Sequence, residues 1–255
     1  MRTAWAIDGP EDAPPIMLLP SVGTDREMWA PQVSALGHDY RLIRFEARGH
    51  GKASASDPPY TLADLGRDVI DAADTLGLAS FHLVGISLGG LTALWLAIHH
   101  GDRLRSLTVA NTAGRIGTRR GWDERIAMVR QKGMPGIADQ VMTRFFSERF
   151  RVSHPATVRV IRTSFEHVDQ EGYIGCCTAL GDADVRPQLK DINTSTLVVA
   201  GRFDASTPPE QGQHLHRAIP DSTYIELNAG HLSNLERPAE FVAALRRHLE
   251  RHRYT

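Results

Sequence analysis

The 255-residue sequence contains few cysteines and almost no net charge. Its two cysteines, Cys176 and Cys177, are adjacent, so they cannot form the framework of a disulfide-stabilised domain. This use of cysteine is typical of a reducing compartment, and we expect a cytoplasmic protein. The 29 basic and 30 acidic residues give a formal net charge of -1, which excludes the strongly basic field expected of nucleic-acid-binding or membrane-binding proteins.

A long apolar run is absent from the first 20 residues. Asp8, Glu11 and Asp12 interrupt this stretch, and the apolar run 16–19 is too short to span a bilayer or to form a signal peptide. The motifs H-E-x-x-H, C-x-x-C, G-x-x-x-x-G-K and G-x-G-x-x-G do not occur in the sequence. We therefore expect no metal, no cofactor and no nucleic-acid or membrane partner, and a small molecule as the substrate.

The sequence does contain short apolar runs that alternate with amphipathic helical patterns. The runs predicted to be strands are 15–19, 41–45, 81–84, 104–110, 196–200 and 223–227. Helices are predicted over 61–76, where Thr61 and Asp64 form a start resembling a capping box, and over 238–250. Strands that alternate with helices in this way predict an α/β fold with a mostly parallel sheet and helices on both faces.

The segment 115–190 interrupts this alternation, because it has helical periodicity but no convincing strand. We predict that it is a helical cap inserted between two strands of a core formed by 1–114 and 191–255. The cap contains 13 basic and 9 acidic residues, so its charge is +4 and the rest of the chain carries -5. A solvated helical surface explains this charge most simply, and a cationic lid over an anionic substrate is the alternative.

The segment Gly85-Ile86-Ser87-Leu88-Gly89-Gly90 lies between a predicted strand and a predicted helix. This is the strand–turn–helix context of the nucleophile elbow G-x-S-x-G, in which small neighbours permit a strained serine backbone. The turn would raise the Ser87 hydroxyl above the carboxyl edge of the sheet. We therefore predict that Ser87 is a catalytic nucleophile rather than an incidental serine in a Gly-rich turn.

A serine nucleophile needs a histidine base and an acid that orients it, and this fold presents them in the order Ser, acid, His. His231 follows the last predicted strand, and Asp204 follows the strand before it. Both would lie at the carboxyl edge of the sheet, where open α/β sheets build their sites. Asp182 and Asp184 are rival acids, but neither follows a predicted strand.

The oxyanion of such a reaction needs preorganised N–H donors. The Leu88 N–H follows the nucleophile directly, and the Val22 N–H lies in the loop after the strand 15–19, so these two groups are our candidates for the oxyanion hole. The segment Arg48-Gly49-His50-Gly51 also follows a strand, and we interpret it as a tight structural turn rather than a phosphate site.

These features together resemble the α/β-hydrolase superfamily across nearly the whole chain, and more narrowly the 3-oxoadipate enol-lactonases of the β-ketoadipate pathway. The resemblance is carried by 21–25 with Met28 and Trp29, 48–51, 85–90, 111–117, Trp122 with Arg125 and Ile126, 171–173, 207–209 and 230–234. The sequence departs from the family at Pro20, where an Asn is usual, and at Glu46, where an Asp is usual.

The resemblance implies a serine hydrolase that opens a small carboxylate-bearing enol-lactone to 3-oxoadipate through an acyl-enzyme, without a cofactor. It also leads us to expect Trp122 and Arg115 to contact the substrate. A carboxylesterase or a carbon–carbon bond hydrolase could use the same Ser87, Asp204 and His231, and these remain alternatives. A non-catalytic ligand-binding relative is a third possibility, which an intact set of three residues disfavours.

Overall fold

Seven strands form one sheet in the computed structural model, which describes residues 3–252. The strands are Ala4–Asp8 (β1), Pro15–Leu19 (β2), Arg41–Glu46 (β3), Phe81–Ile86 (β4), Leu104–Ala110 (β5), Thr196–Gly201 (β6) and Ser222–Leu227 (β7). Their order in the sheet is β1-β3-β2-β4-β5-β6-β7, with β1 antiparallel to β3 and every other pairing parallel. The predicted mostly parallel sheet is therefore confirmed.

Eleven α-helices accompany the sheet within the described residues. They are Ala30–Leu36 (α1), Leu62–Thr75 (α2), Leu88–His99 (α3), Arg119–Lys132 (α4), Ala138–Phe145 (α5), Glu148–Ser153 (α6), Pro155–Glu166 (α7), Gln170–Asp182 (α8), Pro209–Ala218 (α9), Ser233–Glu236 (α10) and Pro238–Glu250 (α11). None of the helices within 3–252 is both long enough and apolar enough to cross a membrane.

Every residue of β4 and of β6 is buried. Since side chains of a strand alternate between the two faces of a sheet, complete burial means that both faces are covered. β4 is also two residues longer than predicted, because Gly85 and Ile86 continue the ladder by pairing with Val109 and Ala110 of β5. The central strand thus reaches Ser87 without a break.

Helix α2 begins with the capping arrangement that the sequence predicts. The Thr61 hydroxyl accepts a hydrogen bond from the Asp64 N–H at 3.1 Å, and the Thr61 N–H donates to the Asp64 carboxylate at 2.9 Å. These bonds satisfy two polar groups that a helix start otherwise leaves without intrahelical partners.

Helices α4 to α8, which we call the cap helices, follow β5 and precede β6 in the chain. The cap helices and the turns between them contact the core at several places. Glu236 of α10 accepts hydrogen bonds from the N–H and the hydroxyl of Ser147, both at 2.7 Å. Gly49, in the turn after β3, lies against Gly172 of α8. The division at 114/115 and 190/191 remains a prediction.

Candidate active site

Ser87 connects the end of β4 to the start of α3 in a strained backbone conformation, with φ 57° and ψ -116°. Residues other than glycine rarely adopt a positive φ, and such strain persists only where the surrounding structure enforces it. A Cβ at Gly89 would lie 2.3 Å from the carbonyl oxygen of Leu19, so only glycine fits at that position of the elbow. The structure thus has the tight turn that a nucleophile elbow requires.

Asp204 and His231 form a buried hydrogen bond, with 2.8 Å between Oδ2 of the carboxylate and Nδ1 of the imidazole. Asp204 follows β6 and His231 follows β7, so both lie at the carboxyl edge of the sheet. Burial alone would raise the pKa of the Asp204 carboxyl, but the His231 charge and hydrogen bonds hold this pKa below its ordinary value. An ionised Asp204 can therefore hold the Nδ1–H tautomer of His231, which leaves Nε2 free to act as a base.

Four further hydrogen bonds reach the same carboxylate. Oδ1 accepts from the N–H groups of Ser206 at 2.8 Å and Thr207 at 3.0 Å. Oδ2 accepts from the Thr207 hydroxyl at 2.7 Å and from Nδ2 of Asn111 at 3.0 Å. Sequence reasoning assigned no role to Thr207 or Asn111, although Asn111 directly follows β5 and so belongs to the same sheet edge.

Ser87 and His231 line one cavity of about 360 Å³, which residues of the cap helices help to enclose. Val22 lies on its wall, as do Trp122 of α4, Phe145 of α5 and Tyr173 of α8. The Phe145 ring stacks on the His231 imidazole, with ring centroids 6.0 Å apart and an angle of 17°. The candidate nucleophile and base therefore face a space of small-molecule size.

Trp122, which we expect to contact the substrate, lines this cavity. Its indole N–H donates to the backbone oxygen of Ile116 at 2.7 Å. Because that donor is already used inside the protein, we expect Trp122 to offer a ligand the apolar surface of its ring.

Arg115 is not among the residues that line the cavity. Its guanidinium lies 3.8 Å from the carboxylate of Asp184, and the side chain is 37% exposed. The cavity is lined instead by Arg125 of α4 and Arg144 of α5. The prediction that Arg115 contacts the substrate therefore receives no support from the geometry, because this residue precedes α4 and its side chain lies beside Asp184.

Arg125 is only 7% exposed, yet it forms no ion pair with any carboxylate of residues 3–252. It lies beside the Tyr173 hydroxyl, whose pKa is raised mainly by burial. Arg144 is more exposed; burial lowers the pKa of its guanidinium, and the Arg125 charge lowers it further. Because buried charges are normally paired, a buried arginine of this kind is a candidate anion site.

One candidate oxyanion donor lies in the elbow, and the other lies in the loop that the elbow contacts. The Leu88 N–H belongs to the first residue of α3, where the helix dipole favours negative charge. The next N–H, of Gly89, donates to the Pro20 oxygen at 3.1 Å and so joins the elbow to the loop that contains Val22. Among the described residues, no acceptor is assigned to the N–H of Val22 or Leu88.

The rival acids are engaged elsewhere. Asp182 pairs with Arg119, and Asp184 forms a hydrogen bond with Arg186 at 2.5 Å.

Cys176 and Cys177 are buried free thiols, and burial raises the pKa of each. In the part of the chain from 3 to 252, no group of three or more His, Cys, Asp or Glu side chains could hold a metal ion.

Comparison with known proteins agrees with this fold. A family described as the alpha/beta hydrolase fold matches residues 14–238. The chain belongs to the α/β-hydrolase family. The expected membership and fold class are therefore confirmed.

Within this family, the chain is similar to lactone hydrolases and esterases. It is 39% identical to 3-oxoadipate enol-lactonase 1 of Acinetobacter baylyi, over 92% of this chain and 88% of that protein. The crystal structure of the enol-lactonase from Burkholderia xenovorans superposes with a TM-score of 0.94 at 40% identity, covering 97% of this chain and 96% of the other. A thermophilic esterase from Thermogutta terrifontis, solved with malate bound, superposes with a TM-score of 0.93 at 28% identity, covering 98% and 94%.

Proposed function

We propose that this α/β-hydrolase is a serine hydrolase that opens 3-oxoadipate enol-lactone to 3-oxoadipate. The observation that carries the proposal is one cavity that presents Ser87, His231 and Arg125, which is buried without a carboxylate partner. The first two residues supply acyl-transfer chemistry, and the third would bind a carboxylate. The similarity to enol-lactonases supports the choice of lactone, and the malate in the related esterase is consistent with a carboxylate ligand.

The reaction begins with attack of the Ser87 oxygen on the ring carbonyl carbon while His231 Nε2 accepts the hydroxyl proton. Asp204 holds the imidazole and stabilises its positive charge. The N–H groups of Val22 and Leu88 donate to the negative oxygen of the tetrahedral intermediate. The ring C–O bond then breaks, and His231 returns the proton to the departing enol oxygen.

The enol becomes a ketone, which makes it a good leaving group. The product is still attached to Ser87 as an ester, the acyl-enzyme. Water attacks this ester with His231 again acting as the base, and the serine oxygen leaves with the proton. The overall reaction adds one water to one lactone, so the residues of this chain suffice for the chemistry.

Arg125 and Arg144 would bind the free carboxylate of the substrate. A guanidinium can form two parallel hydrogen bonds to a carboxylate, which fixes the position of the ring relative to Ser87. Trp122 and Phe145 would enclose the apolar part of the ring. This assignment replaces Arg115 by Arg125 as the principal carboxylate contact.

The test compares three substrates with purified wild-type protein and the Ser87→Ala variant. The substrates are the enol-lactone made from 4-carboxymuconolactone, the methyl ester of that enol-lactone, and 4-nitrophenyl acetate. We expect rapid opening of the charged lactone, a lower kcat/KM for its neutral ester, and loss of all activity in folded Ser87→Ala. Cleavage of 4-nitrophenyl acetate without opening of the lactone would favour a carboxylesterase, and activity in Ser87→Ala would contradict the serine mechanism.

A further inference from the structure

The turn Arg48-Gly49-His50-Gly51 contains a fully buried histidine whose two ring nitrogens are both engaged. Nε2 of His50 lies 2.9 Å from the backbone nitrogen of Gly23 and accepts its hydrogen bond. Nδ1 lies 2.9 Å from the backbone oxygen of Arg48. An amide N–H can only donate and a carbonyl can only accept, so His50 is the neutral Nδ1–H tautomer.

The partner of His50 adjoins a candidate oxyanion donor. Gly23 follows Val22 directly, and the peptide that His50 holds joins these two residues. The same loop is closed by a hydrogen bond from the Thr24 N–H to the Ser21 oxygen at 3.2 Å, and by one from the Thr24 hydroxyl to that oxygen at 2.8 Å. The N–H groups of Gly23 and Thr24 are therefore used within the protein, whereas the N–H of Val22 has no acceptor among residues 3–252.

His50 also lies between this loop and the cap helices. The backbone oxygen of Gly49 accepts a hydrogen bond from the Asp169 N–H at 3.0 Å. The His50 ring lies 6.5 Å, between centroids, from the ring of Tyr173 on the cavity wall. Burial lowers the pKa of His50, against the opposing charges of Asp25 and Asp169, which agrees with a neutral ring.

We propose that His50 is a positioning residue that holds the Val22–Gly23 peptide so that the Val22 N–H points at the oxyanion. The inference rests on the proposed serine mechanism and adds a role for a turn that none of its steps uses. An oxyanion hole is effective because its donors are fixed before charge develops, and a loop peptide without an anchor would lose that advantage. His50 acts here only as a hydrogen-bond acceptor and does not touch the substrate.

The experiment replaces His50 with Phe, which fills the space without an acceptor, and with Gln, whose side-chain oxygen can accept from Gly23. The matched control is His82→Phe, because His82 is equally buried and has one ring hydrogen bond, to Ser106 at 2.8 Å, but lies at the opposite end of β4. Each variant is assayed with 4-nitrophenyl acetate, and Tm is measured. Inhibition by an arylboronic acid reports on the oxyanion hole, because its adduct with serine mimics the tetrahedral intermediate.

We expect His50→Phe to lower kcat by about 10- to 100-fold, less than the ~100- to 1,000-fold lost when an oxyanion donor is removed outright. KM should change little, and the affinity for the boronic acid should fall by a similar factor to kcat. His50→Gln should recover most of the loss. His82→Phe should change Tm but leave kcat and boronic acid affinity at wild-type values.

A folded His50→Phe variant with wild-type kcat and boronic acid affinity would overturn the inference. The inference would also be overturned if His50→Gln had a wild-type Tm but lost as much kcat as His50→Phe. Ser87→Ala, assayed beside them, separates the two proposals. Activity retained in Ser87→Ala contradicts the proposed mechanism, whereas activity lost there but unchanged in His50→Phe contradicts only the role of His50.

Discussion

The side-chain amide of Asn111 donates to the same oxygen of Asp204 that faces His231. The Nδ2···Oδ2 distance is 3.0 Å, and the same nitrogen donates to the backbone oxygen of Gly230, next to His231, at 3.1 Å. Asn111 is itself held by a hydrogen bond of 2.5 Å from the Ser233 hydroxyl to its Oδ1, and its φ of 47° is positive. One side chain thus fixes both the acid and the backbone that carries the base.

Removing the Asn111 side chain should therefore impair the Asp204–His231 pair. Asn111→Gly is the suitable change because glycine tolerates the positive φ. A hydrogen bond to a charged group is worth ~1.5–3 kcal/mol, so kcat should fall by about 10- to 100-fold. With one donor fewer, the pKa of Asp204 should rise, and the acid limb of the pH–rate profile should move to higher pH.

Two control measurements are needed to interpret the kcat of Asn111→Gly. Circular dichroism must show that Asn111→Gly remains folded at the assay temperature. Ser233→Ala removes only the group that holds Asn111, so its effect on kcat should be in the same direction but smaller. Equal kcat in wild type and folded Asn111→Gly would contradict a positioning role for this residue.

The fold could be predicted from the sequence because its signals are local. Apolar runs bounded by turn residues define β2 to β7, and the start at Thr61 defines α2. The candidates Ser87, Asp204 and His231 could also be proposed from the sequence. Parallel strands share one carboxyl edge, so position along the chain already predicts that these residues converge.

The cavity wall could not be predicted in this way. Arg115 and Arg125 are equally basic in the sequence, and which of them faces the site depends on how α4 packs against α8. The roles of Asn111 and His50 likewise depend on single hydrogen bonds to residues 93 and 27 positions away. No periodicity or motif encodes such contacts, since they exist only once the sheet edge and the loops are assembled.

Arg125 should determine the preference for a charged substrate. We expect Arg125→Met to lower kcat/KM for the enol-lactone by about 10- to 100-fold, because a charge-assisted hydrogen bond worth ~1.5–3 kcal/mol is lost. Hydrolysis of neutral 4-nitrophenyl acetate should change little. Tm should change little, since the change removes both a buried charge without a carboxylate partner and the interaction of that charge with Tyr173.

The control is Arg130→Met, which removes an exposed charge from the same helix. It should leave the ratio of the two activities at its wild-type value. A larger loss in Arg115→Met than in Arg125→Met would restore the original assignment and contradict the one drawn from the cavity.

Two buried histidines should make the protein sensitive to acid. Burial lowers the pKa of His82 and of His248 to about 4, from an ordinary value of 6.5. Between these values the unfolded chain binds protons that the folded protein does not, so the free energy of unfolding rises with pH and is lost as pH falls from 6.5 to 4. The shift corresponds to roughly 3 kcal/mol for each residue taken alone.

Urea unfolding between pH 7.5 and 4.5 tests this dependence. His82→Phe should reduce the slope of unfolding free energy against pH over that range, because one titrating group is gone. His214→Gln changes an exposed histidine and serves as the control, for which we expect the wild-type slope. An identical slope in His82→Phe and wild type would show that His82 does not contribute to acid destabilisation.

The close approach between Gly49 and Gly172 should tolerate no side chain at Gly172. A Cβ there would lie 2.5 Å from the Cα of Gly49, so Gly172→Ala should lower the free energy of unfolding by about 1–3 kcal/mol despite the better helix propensity of alanine.

Gly121 is a matched control, because each glycine is the third residue of its helix. The N–H of Gly172 donates to the capping side chain of Asp169, and that of Gly121 donates to the capping side chain of Thr118. At Gly121 the nearest atom would be 3.3 Å away, so Gly121→Ala should be neutral or stabilising by up to ~1 kcal/mol. Urea unfolding curves that coincide for the two variants would contradict the close backbone approach between Gly49 and Gly172.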